Sequence, residues 1–358
     1  MDFFPQKNQL IDIRPALREK LRMNKGQELH FHKDDDRMSV SNRRMFIKSM
    51  MSAGGLIAVS DLPALEEDAS TSVSRRGRFE KLNINMIHVD VGATKPFSVL
   101  HISDTHLTDA YPDEDRLKQK LKAVSTDKFG GQQESALRES VAWAKSRCDY
   151  LLHTGDVVDW HSRKNLDLMK KYVGSGVLGA VGNHEYTLYH FLTKEAGTRD
   201  SVPEIRKVLA SYYSFKIEFN SRVINGVNFV SIDDTFGRVT PAQVKLFKSE
   251  VEKGLPIVLV KHVPFYTDYL WTAAVKYWSP TDEKYRSTAV PKFADCALVQ
   301  RNDPVTRDFI AYLKTVKELK AILAGHEHFF AQDRFSPTAM EYLVGGNYLF
   351  CGQEVLFS

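Results

Sequence analysis

Residues 322–330 read ILAGHEHFF: a short apolar run ends in Gly325, and two histidines follow with one residue between them. In an extended segment, residues two apart project to the same side of the chain. The spacing therefore predicts that His326 and His328 converge on one metal ion or on two neighbouring ions. A surface turn with two polar residues explains the same stretch, so the remainder of the chain has to decide between them.

Buried strands are predicted where short apolar runs are bounded by turn-forming residues. Such runs lie at residues 96–104, 149–156, 176–183, 226–234, 256–262 and 320–326. Outer strands are predicted at residues 81–91, 211–219, 339–346 and 347–357. Helical patterns cover Glu134–Cys148, a segment that starts at Thr240-Pro241, and Pro304–Val316. Strands and helices that alternate without a repeat predict a layered α/β domain.

Residue types that bind metals stand at the ends of five of these buried strands. The endings are DTH at 104–106, GDVVD at 155–159, GNHE at 182–185, KH at 261–262 and GHEH at 325–328. Each ending alone has a plain explanation as a helix cap, a core histidine or a turn. Five endings that hold five of the twelve histidines point to a shared site, because sites in layered α/β folds are assembled at strand ends.

The chemical character of these endings is imidazole, carboxylate and one amide oxygen, with no thiolate. Such a set suits Fe, Mn, Zn, Co or Ni rather than a structural zinc site made of cysteines. The three cysteines Cys148, Cys296 and Cys351 lie far apart and form no CxxC pair. Seven candidate ligands are more than one ion uses, and they suit two ions about 3.5–4 Å apart with a shared carboxylate.

In this order, the five endings resemble the metallophosphoesterase superfamily, also called calcineurin-like phosphoesterases. The superfamily pattern is D-x-H, G-D-x-x-D, G-N-H-[D/E], H and G-H-x-H, and every block matches between about Leu82 and Ser358. The resemblance implies a four-layer α/β/β/α sandwich with mixed sheets. It also implies hydrolysis of phosphate mono- or diesters by a hydroxide activated at a binuclear centre of divalent or trivalent ions, with Mn, Fe or Zn the foremost candidates.

The resemblance assigns a ligand set to each ion. The first ion is expected on Asp104, His106, Asp156 and His328. The second is expected on Asp156, Asn183, His262 and His326, which makes Asp156 the bridge.

Three further residues receive roles from the same resemblance. His184 is expected to stand over the site as the catalytic residue, where it stabilises the transition state or protonates the leaving oxygen. Asp159 and Glu185 are expected to orient the ligands without touching the ions. By position, Tyr186 and His190 follow the GNHE motif. They either line the site or belong to the core face of a covering helix.

Two segments are expected near the mouth of the site. Residues 107–133 carry several lysines, which form either a phosphate-attracting surface or an ordinary solvated face. Residues 266–302 are rich in aromatic side chains, namely Tyr269, Trp271, Tyr277, Trp278 and Tyr285. These rings either stack on a nucleobase or sugar of the substrate or pack the segment onto the body.

Charge and composition narrow the function classes. Residues 1–60 hold 11 basic and 7 acidic residues, and the rest of the chain carries 38 of each sign. A neutral body argues against a nuclease of the same superfamily. A non-catalytic scaffold would have lost ligands or His184, and none is missing. No strong amphipathic stripe supports a lipid-phosphate hydrolase, so a small phosphate ester is the expected partner and nucleic acid is not. The sequence predicts no oligomeric state.

The N-terminal region is predicted to be a leader. Residues 42–48, NRRMFIK, resemble the twin-arginine export signal, and a short, weakly apolar stretch follows them. The resemblance implies a bacterial protein exported in folded form by the twin-arginine (Tat) machinery to the periplasm or beyond. Residues 1–60 are therefore taken as leader, with translation expected to begin at Met38, residues 61–80 as linker and 81–358 as one domain. No run reaches the ~18 apolar residues of a membrane span.

Overall fold

The computed structural model describes residues 79–174, 176–187, 202–278 and 303–358. The predicted leader, nearly all of the predicted linker, His190 and Tyr285 lie outside these residues. Within the described residues, no helix is both long and apolar enough to cross a membrane.

The strands of the described residues form two sheets. The first sheet runs in the order β1-β11-β2-β3-β4, with β1 Asn83–Val89, β2 Phe97–Ile102, β3 Tyr150–His153, β4 Leu178–Gly179 and β11 Cys351–Phe357. The second runs β5-β6-β7-β8-β10-β9, with β5 Phe219–Ile224, β6 Val227–Ile232, β7 Ile257–Val260, β8 Leu319–Ala324, β9 Ala331–Arg334 and β10 Met340–Leu343. Both sheets are mixed, since β11 pairs antiparallel with β2, and β5 and β9 pair antiparallel with β6 and β10.

Helices cover the outer faces of both sheets. They are α1 Arg116–Phe129, α2 Gln133–Arg147, α3 Arg163–Val173, α4 Val202–Leu209, α5 Pro241–Val251, α6 Asp268–Trp278 and α7 Pro304–Leu313. The predicted start of α5 is confirmed: Thr240 caps it, Gln243 completes a reciprocal capping box, and Pro241 occupies the first turn. Helices α1, α3, α4 and α6 were not predicted from the sequence.

Three apolar clusters define the layers. One cluster joins the inner faces of the two sheets, as Val99 of β2 and Val258 of β7 show. A second lies between the first sheet and helices α2 and α3, and a third lies between the second sheet and helices α5 and α7. The predicted α/β/β/α sandwich with mixed sheets is therefore confirmed.

Strand β2 shows why its sequence reads as a continuous apolar run. Phe97 and Val99 enter the cluster between the sheets, while Leu100 and Ile102 enter the cluster under the helices. Because side chains alternate along a strand, a strand covered on both faces needs apolar residues at nearly every position. The predicted strand is therefore observed, shortened to Phe97–Ile102.

The prediction of a strand at residues 211–219 is wrong. Those residues form turns and bends, and the strand begins only at Phe219. The tight hairpin at Asn225-Gly226 fixes this register, since both residues have positive φ angles of 47° and 83°. Asn-Gly is the preferred pair for a two-residue hairpin turn of this kind, and that signal was available in the sequence.

The order of the last strands also differs from the prediction. Strand β11 was expected as an outer strand, but it lies between β1 and β2 in the first sheet. Strand β10 lies inside the second sheet. The edge strand beside it is β9, which the sequence pattern did not predict. Three of the four β9 residues, AQDR, are polar, and the strand is short, as is common at a sheet edge.

Candidate metal centre

The five motif loops leave the carboxyl ends of β2, β3, β4, β7 and β8 and meet where the two sheets face each other. Backbone hydrogen bonds tie neighbouring loops together. The Asp104 N–H donates to the Gly155 carbonyl at 3.0 Å, and the Gly325 N–H donates to the His262 carbonyl at 3.0 Å. The sheet order therefore brings together residues that are up to 224 positions apart in the sequence.

The backbone at the site is unusual. Five predicted metal ligands have left-handed φ angles between 51° and 70°: Asp104, His106, Asp156, His326 and His328. Among the described residues, only Asn225 and Phe350 are further non-glycine examples. A left-handed φ costs an L-residue roughly 1–2 kcal/mol, and such residues persist where the surrounding structure holds them and often serve a function. The strain is thus concentrated on the residues singled out by the motifs.

One cluster of ligand atoms forms around Asp104. Its Oδ1 lies 3.3 Å from Nε2 of His328 and 3.9 Å from Nε2 of His106. The two imidazole Nε2 atoms are themselves 3.1 Å apart. The other carboxylate oxygen, Oδ2, accepts the backbone N–H of His326 at 2.9 Å, which orients Oδ1 toward the cluster.

A second cluster forms around His262. Its Nε2 lies 3.2 Å from Oδ2 of Asp156, 3.2 Å from Oδ1 of Asn183 and 3.1 Å from Nδ1 of His326. Asp156 also lies 3.8 Å from Nε2 of His106, measured from the same Oδ2 atom. Asp156 therefore stands between the two clusters, in the position that a bridging ligand needs.

The expectation that strand alternation places His326 and His328 is wrong. They follow β8 in a loop with left-handed φ angles, so the alternation of an extended strand does not place them. They also present different atoms, Nδ1 of His326 to His262 and Nε2 of His328 to Asp104. The loop backbone, rather than strand pleating, sends one ring to each cluster.

The outward ring nitrogens of two histidines are held by acceptors. Nδ1 of His106 lies 3.2 Å from Oδ1 of Asp159, and Nδ1 of His262 lies 2.7 Å from the Thr154 carbonyl. With the proton on Nδ1, each Nε2 lone pair faces its cluster, which is the tautomer that metal-binding histidines use. The donor set of neutral imidazoles, carboxylates and one amide oxygen therefore fits two metal ions of the kind the sequence indicated.

Burial sets the charge state of the rings. Burial lowers the pKa of His106 to about 4 and that of His326 to about 3, so both are neutral ligands near pH 7. At His262 burial acts in the same direction, but the negative charge of Asp156 and their hydrogen bond outweigh it and raise the pKa to about 10. A metal cation bound there would take the place of that proton, because metal binding requires the deprotonated ring.

His184 lies at the side of the first cluster. Its backbone N–H donates to Oδ1 of Asp156 at 2.8 Å, and its Nδ1 lies 3.0 Å from Oδ1 of Asp159. Burial alone would lower the pKa of His184, but the Asp156 charge and the Asp159 hydrogen bond raise it to about 9. Its ring meets that of His106 edge-on at 4.6 Å, and one ring nitrogen lies within ligand range of Asp156 and His106.

Glu185 lies beneath the site and is fully buried. Its carboxylate accepts the backbone N–H groups of Asp156 at 2.8 Å, Val157 at 2.6 Å and Gly182 at 2.6 Å. Burial, with the nearby Asp156 charge, raises the pKa of Glu185 to about 7. The side chain joins the GDVVD and GNHE loops, and its orienting role remains a prediction.

The motifs did not reveal two buried networks that support the loops. In one, His153 contacts Thr105 at 2.9 Å and Thr105 donates to Asn347 at 3.1 Å. In the other, Lys261 forms a 2.9 Å ion pair with Asp234, which accepts the backbone N–H of His262. The sequence carried a signal for the second network, because two aspartates, DD, follow β6 and a lysine precedes His262.

We expect the substitution Gly182→Ala to disrupt both site and stability. A Cβ atom there would lie 2.1 Å from Oδ1 and 2.4 Å from the backbone N of Asp156, so the loops must separate. Overpacking of this kind costs about 1–3 kcal/mol, measurable by urea unfolding, and metal content should fall with it. Gly92→Ala is the control, since a Cβ there meets nothing within 4 Å and only its φ of 71° opposes the change. Because the φ of Gly92 alone predicts a cost of about 1–2 kcal/mol, metal content distinguishes the two variants. A Gly182→Ala protein that keeps as much metal as Gly92→Ala would contradict the close contact between Gly182 and Asp156.

We expect Asp159→Asn to weaken the centre without unfolding the protein. The carboxylate contacts His106 and His184, and loss of such an outer partner typically costs 10–100-fold in metal affinity or activity. Metal titration and initial rates measure the effect. Asp167→Asn is the matched control, because Asp167 lies on α3 and contacts Tyr111 on the surface. If the two variants behave alike, Asp159 has no orienting role.

Two clusters of imidazole and carboxylate ligands at the strand ends of a four-layer sandwich define the class as metal-dependent hydrolases. The family model described as calcineurin-like phosphoesterase matches residues 97–330, well over half of the chain. This chain belongs to the calcineurin-like phosphoesterase family and is a hydrolase of phosphoric ester bonds.

Solved structures with a related fold have low sequence identity. A dimetal phosphatase from Danio rerio is 14% identical, with 70% of this chain and 88% of that chain covered and a TM-score of 0.42. A putative 5'-nucleotidase from Staphylococcus aureus is 10% identical, covering 71% and 49%, with a TM-score of 0.40. A 5'-nucleotidase from Candida albicans is 11% identical, covering 75% and 47%, with a TM-score of 0.33. A search of curated proteins found no significant match.

Proposed function

We propose that this protein hydrolyses small phosphate mono- or diesters at a centre of two divalent or trivalent ions, with Mn, Fe or Zn the foremost candidates. The observation that carries the proposal is the position of Asp156, whose Oδ2 lies 3.2 Å from the His262 Nε2 and 3.8 Å from the His106 Nε2. A carboxylate shared between two ligand clusters is the arrangement that a two-metal phosphoesterase requires.

Each ion has its own ligands in this proposal. Asp104, His106, Asp156 and His328 hold the first, and Asp156, Asn183, His262 and His326 hold the second. The ions supply a nucleophile near neutral pH and neutralise the charge that develops on phosphorus oxygens. The left-handed loops keep the ligand atoms in place before substrate arrives, so little reorganisation accompanies binding.

His184 acts on the substrate in this proposal. Asp159 holds its Nδ1, so the ring is oriented beside the first cluster, where the phosphate or the leaving oxygen would lie. The Asp159 carboxylate beside Nδ1 favours the protonated ring, which would donate a hydrogen bond to an anionic oxygen or a proton to the leaving alkoxide.

The test compares rates on bis-p-nitrophenyl phosphate and p-nitrophenyl phosphate, using the full chain loaded with Mn²⁺, Fe²⁺ or Zn²⁺ in turn. We expect metal-dependent release of p-nitrophenol that chelation abolishes and metal restores. A diester rate well above the monoester rate assigns the protein to diesters, and the reverse assigns it to monoesters. Binding of metal without hydrolysis of either ester would favour a non-catalytic scaffold instead.

Export by the twin-arginine route is a second part of the proposal. It rests on the residues NRRMFIK at 42–48, with Arg43 and Arg44 as the paired arginines. We expect the protein in the periplasmic fraction of a bacterial host and the Arg43→Lys, Arg44→Lys double variant in the cytoplasm. A cytoplasmic location of both proteins would overturn this part and leave the proposed chemistry unaffected.

A further inference from the structure

Aromatic rings surround the first ligand cluster. Phe129 stacks on His106 with centroids 4.7 Å apart and planes 10° apart. Tyr348 and Trp278 each meet the His328 ring at a centroid distance of 5.4 Å. Phe129 and Tyr348 are buried, while Trp278 remains partly exposed. Of these three rings, Trp278 is therefore the one that a bound molecule can reach from solvent.

The aromatic residues of α6 fall into different roles once the structure is known. Trp271 is buried in a small apolar cluster and packs the helix onto the body. Tyr269 is 54% exposed, on the first turn of the helix. Trp278 lies at the opposite end of the helix, beside the GHEH loop. Trp278 also packs against the Trp271 cluster, but its ring remains partly exposed beside a predicted metal ligand.

Two further contacts orient the Trp278 ring. Its indole N–H donates to Oε2 of the buried Glu327 at 3.0 Å, which ties the ring to the residue between His326 and His328. Tyr277 contacts the Trp278 ring edge-on at 5.1 Å and packs on Phe329 at 5.1 Å. A ring that is already oriented loses little conformational entropy when a second ring stacks on it.

We propose that Trp278 is a specificity-determining residue that stacks on a planar ring in the alcohol part of the substrate. The substrate class is then phosphate esters of aryl alcohols, benzylic alcohols or nucleosides. This inference rests on the proposed function, since the phosphate must lie at the ions next to His328 for the alcohol part to reach Trp278. Aromatic pairs prefer centroid distances of 4.5–7 Å, a range within which Trp278 already meets His328.

The test measures binding with two non-hydrolysable ligands of nearly equal size, benzylphosphonate and cyclohexylmethylphosphonate. Calorimetry of the full chain loaded with Mn²⁺ gives both dissociation constants. We expect the planar ligand to bind about 2- to 12-fold more tightly, the range that an aromatic pair contributes beyond its buried area. The ratio should fall to about one in Trp278→Leu and remain partly in Trp278→Phe, which keeps a ring but loses the N–H to Glu327.

Tyr269→Leu is the matched control, an exposed aromatic residue on the same helix, and it should keep the wild-type ratio. Equal affinities in the wild-type protein, or an unchanged ratio in Trp278→Leu, would overturn the stacking role while leaving ester hydrolysis intact. Failure of both phosphonates to bind the metal-loaded protein, together with no ester hydrolysis, would overturn the proposed function and this inference with it.

Discussion

Asp156→Asn is expected to remove metal binding and hydrolysis together. Asp156 presents Oδ2 to both clusters, so in the proposed assignment its charge would be shared by two ions, whereas every other predicted ligand would serve one. An amide in its place keeps the hydrogen bond from the His184 N–H to Oδ1 but loses the negative charge between the two sets of imidazoles. We expect hydrolysis to fall further than the roughly 10²–10⁴-fold typical for loss of a general acid, because both proposed ions lose a charged ligand.

Elemental analysis of the purified variant and initial rates on a phosphate ester measure both effects. Asp149→Asn is the matched control, because Asp149 precedes the same strand, β3, at its far end, where it accepts the Ser98 N–H at 2.8 Å. The control should keep two metal ions and wild-type rates. An Asp156→Asn protein that retains two ions would show that Asp156 is not the bridge.

His184→Ala is expected to lose activity while both metal ions stay bound. The ring lies beside the first cluster, and Asp159 holds its Nδ1, but every metal in the proposed assignment keeps its full ligand set without it. Removal of a general acid or an equivalent donor typically lowers the rate 10²–10⁴-fold. We expect the loss mainly in kcat, because the interaction strengthens in the transition state.

Metal content and kcat measured on the same preparation decide the role of His184. His88→Ala serves as the control, since His88 is an exposed histidine on β1 that contacts Ser358 at 2.7 Å. The His184 ring lies within ligand range of Asp156 and His106, so metal loss is a real alternative outcome. If His184→Ala loses one ion, His184 is a ligand and its assigned role on the substrate is wrong.

The sequence predicted the buried strands whose carboxyl ends lead into the site residues. Strands covered on both faces need continuous apolar residues, which makes them visible without a structure, and all six predicted core strands are present. The strand near residue 211 was misplaced because the Asn225-Gly226 turn was overlooked. Strand β9 was not predicted because four residues, three of them polar, carry little periodicity.

The sequence could not show how the ligands are presented. The left-handed φ angles at Asp104, Asp156 and His328 depend on the hydrogen bonds and packing around each loop, which involve distant residues. The same holds for Glu185, whose carboxylate joins two loops through backbone N–H groups. Local residue preference does not single out these positions, because aspartate and histidine adopt a left-handed φ more often than most residues but still only in a minority of cases.

By itself, the sequence determined the residue types of the site, the order of the five motifs and the strands that carry them, since these follow from local periodicity and chemistry. The tertiary structure alone decided which atoms converge, with Nδ1 of His326 and Nε2 of His328 serving different clusters. It also placed Trp278, fifty positions before His328, beside that ring. The physical reason is that strand order and loop backbone geometry arise from contacts between distant residues, which local sequence does not encode.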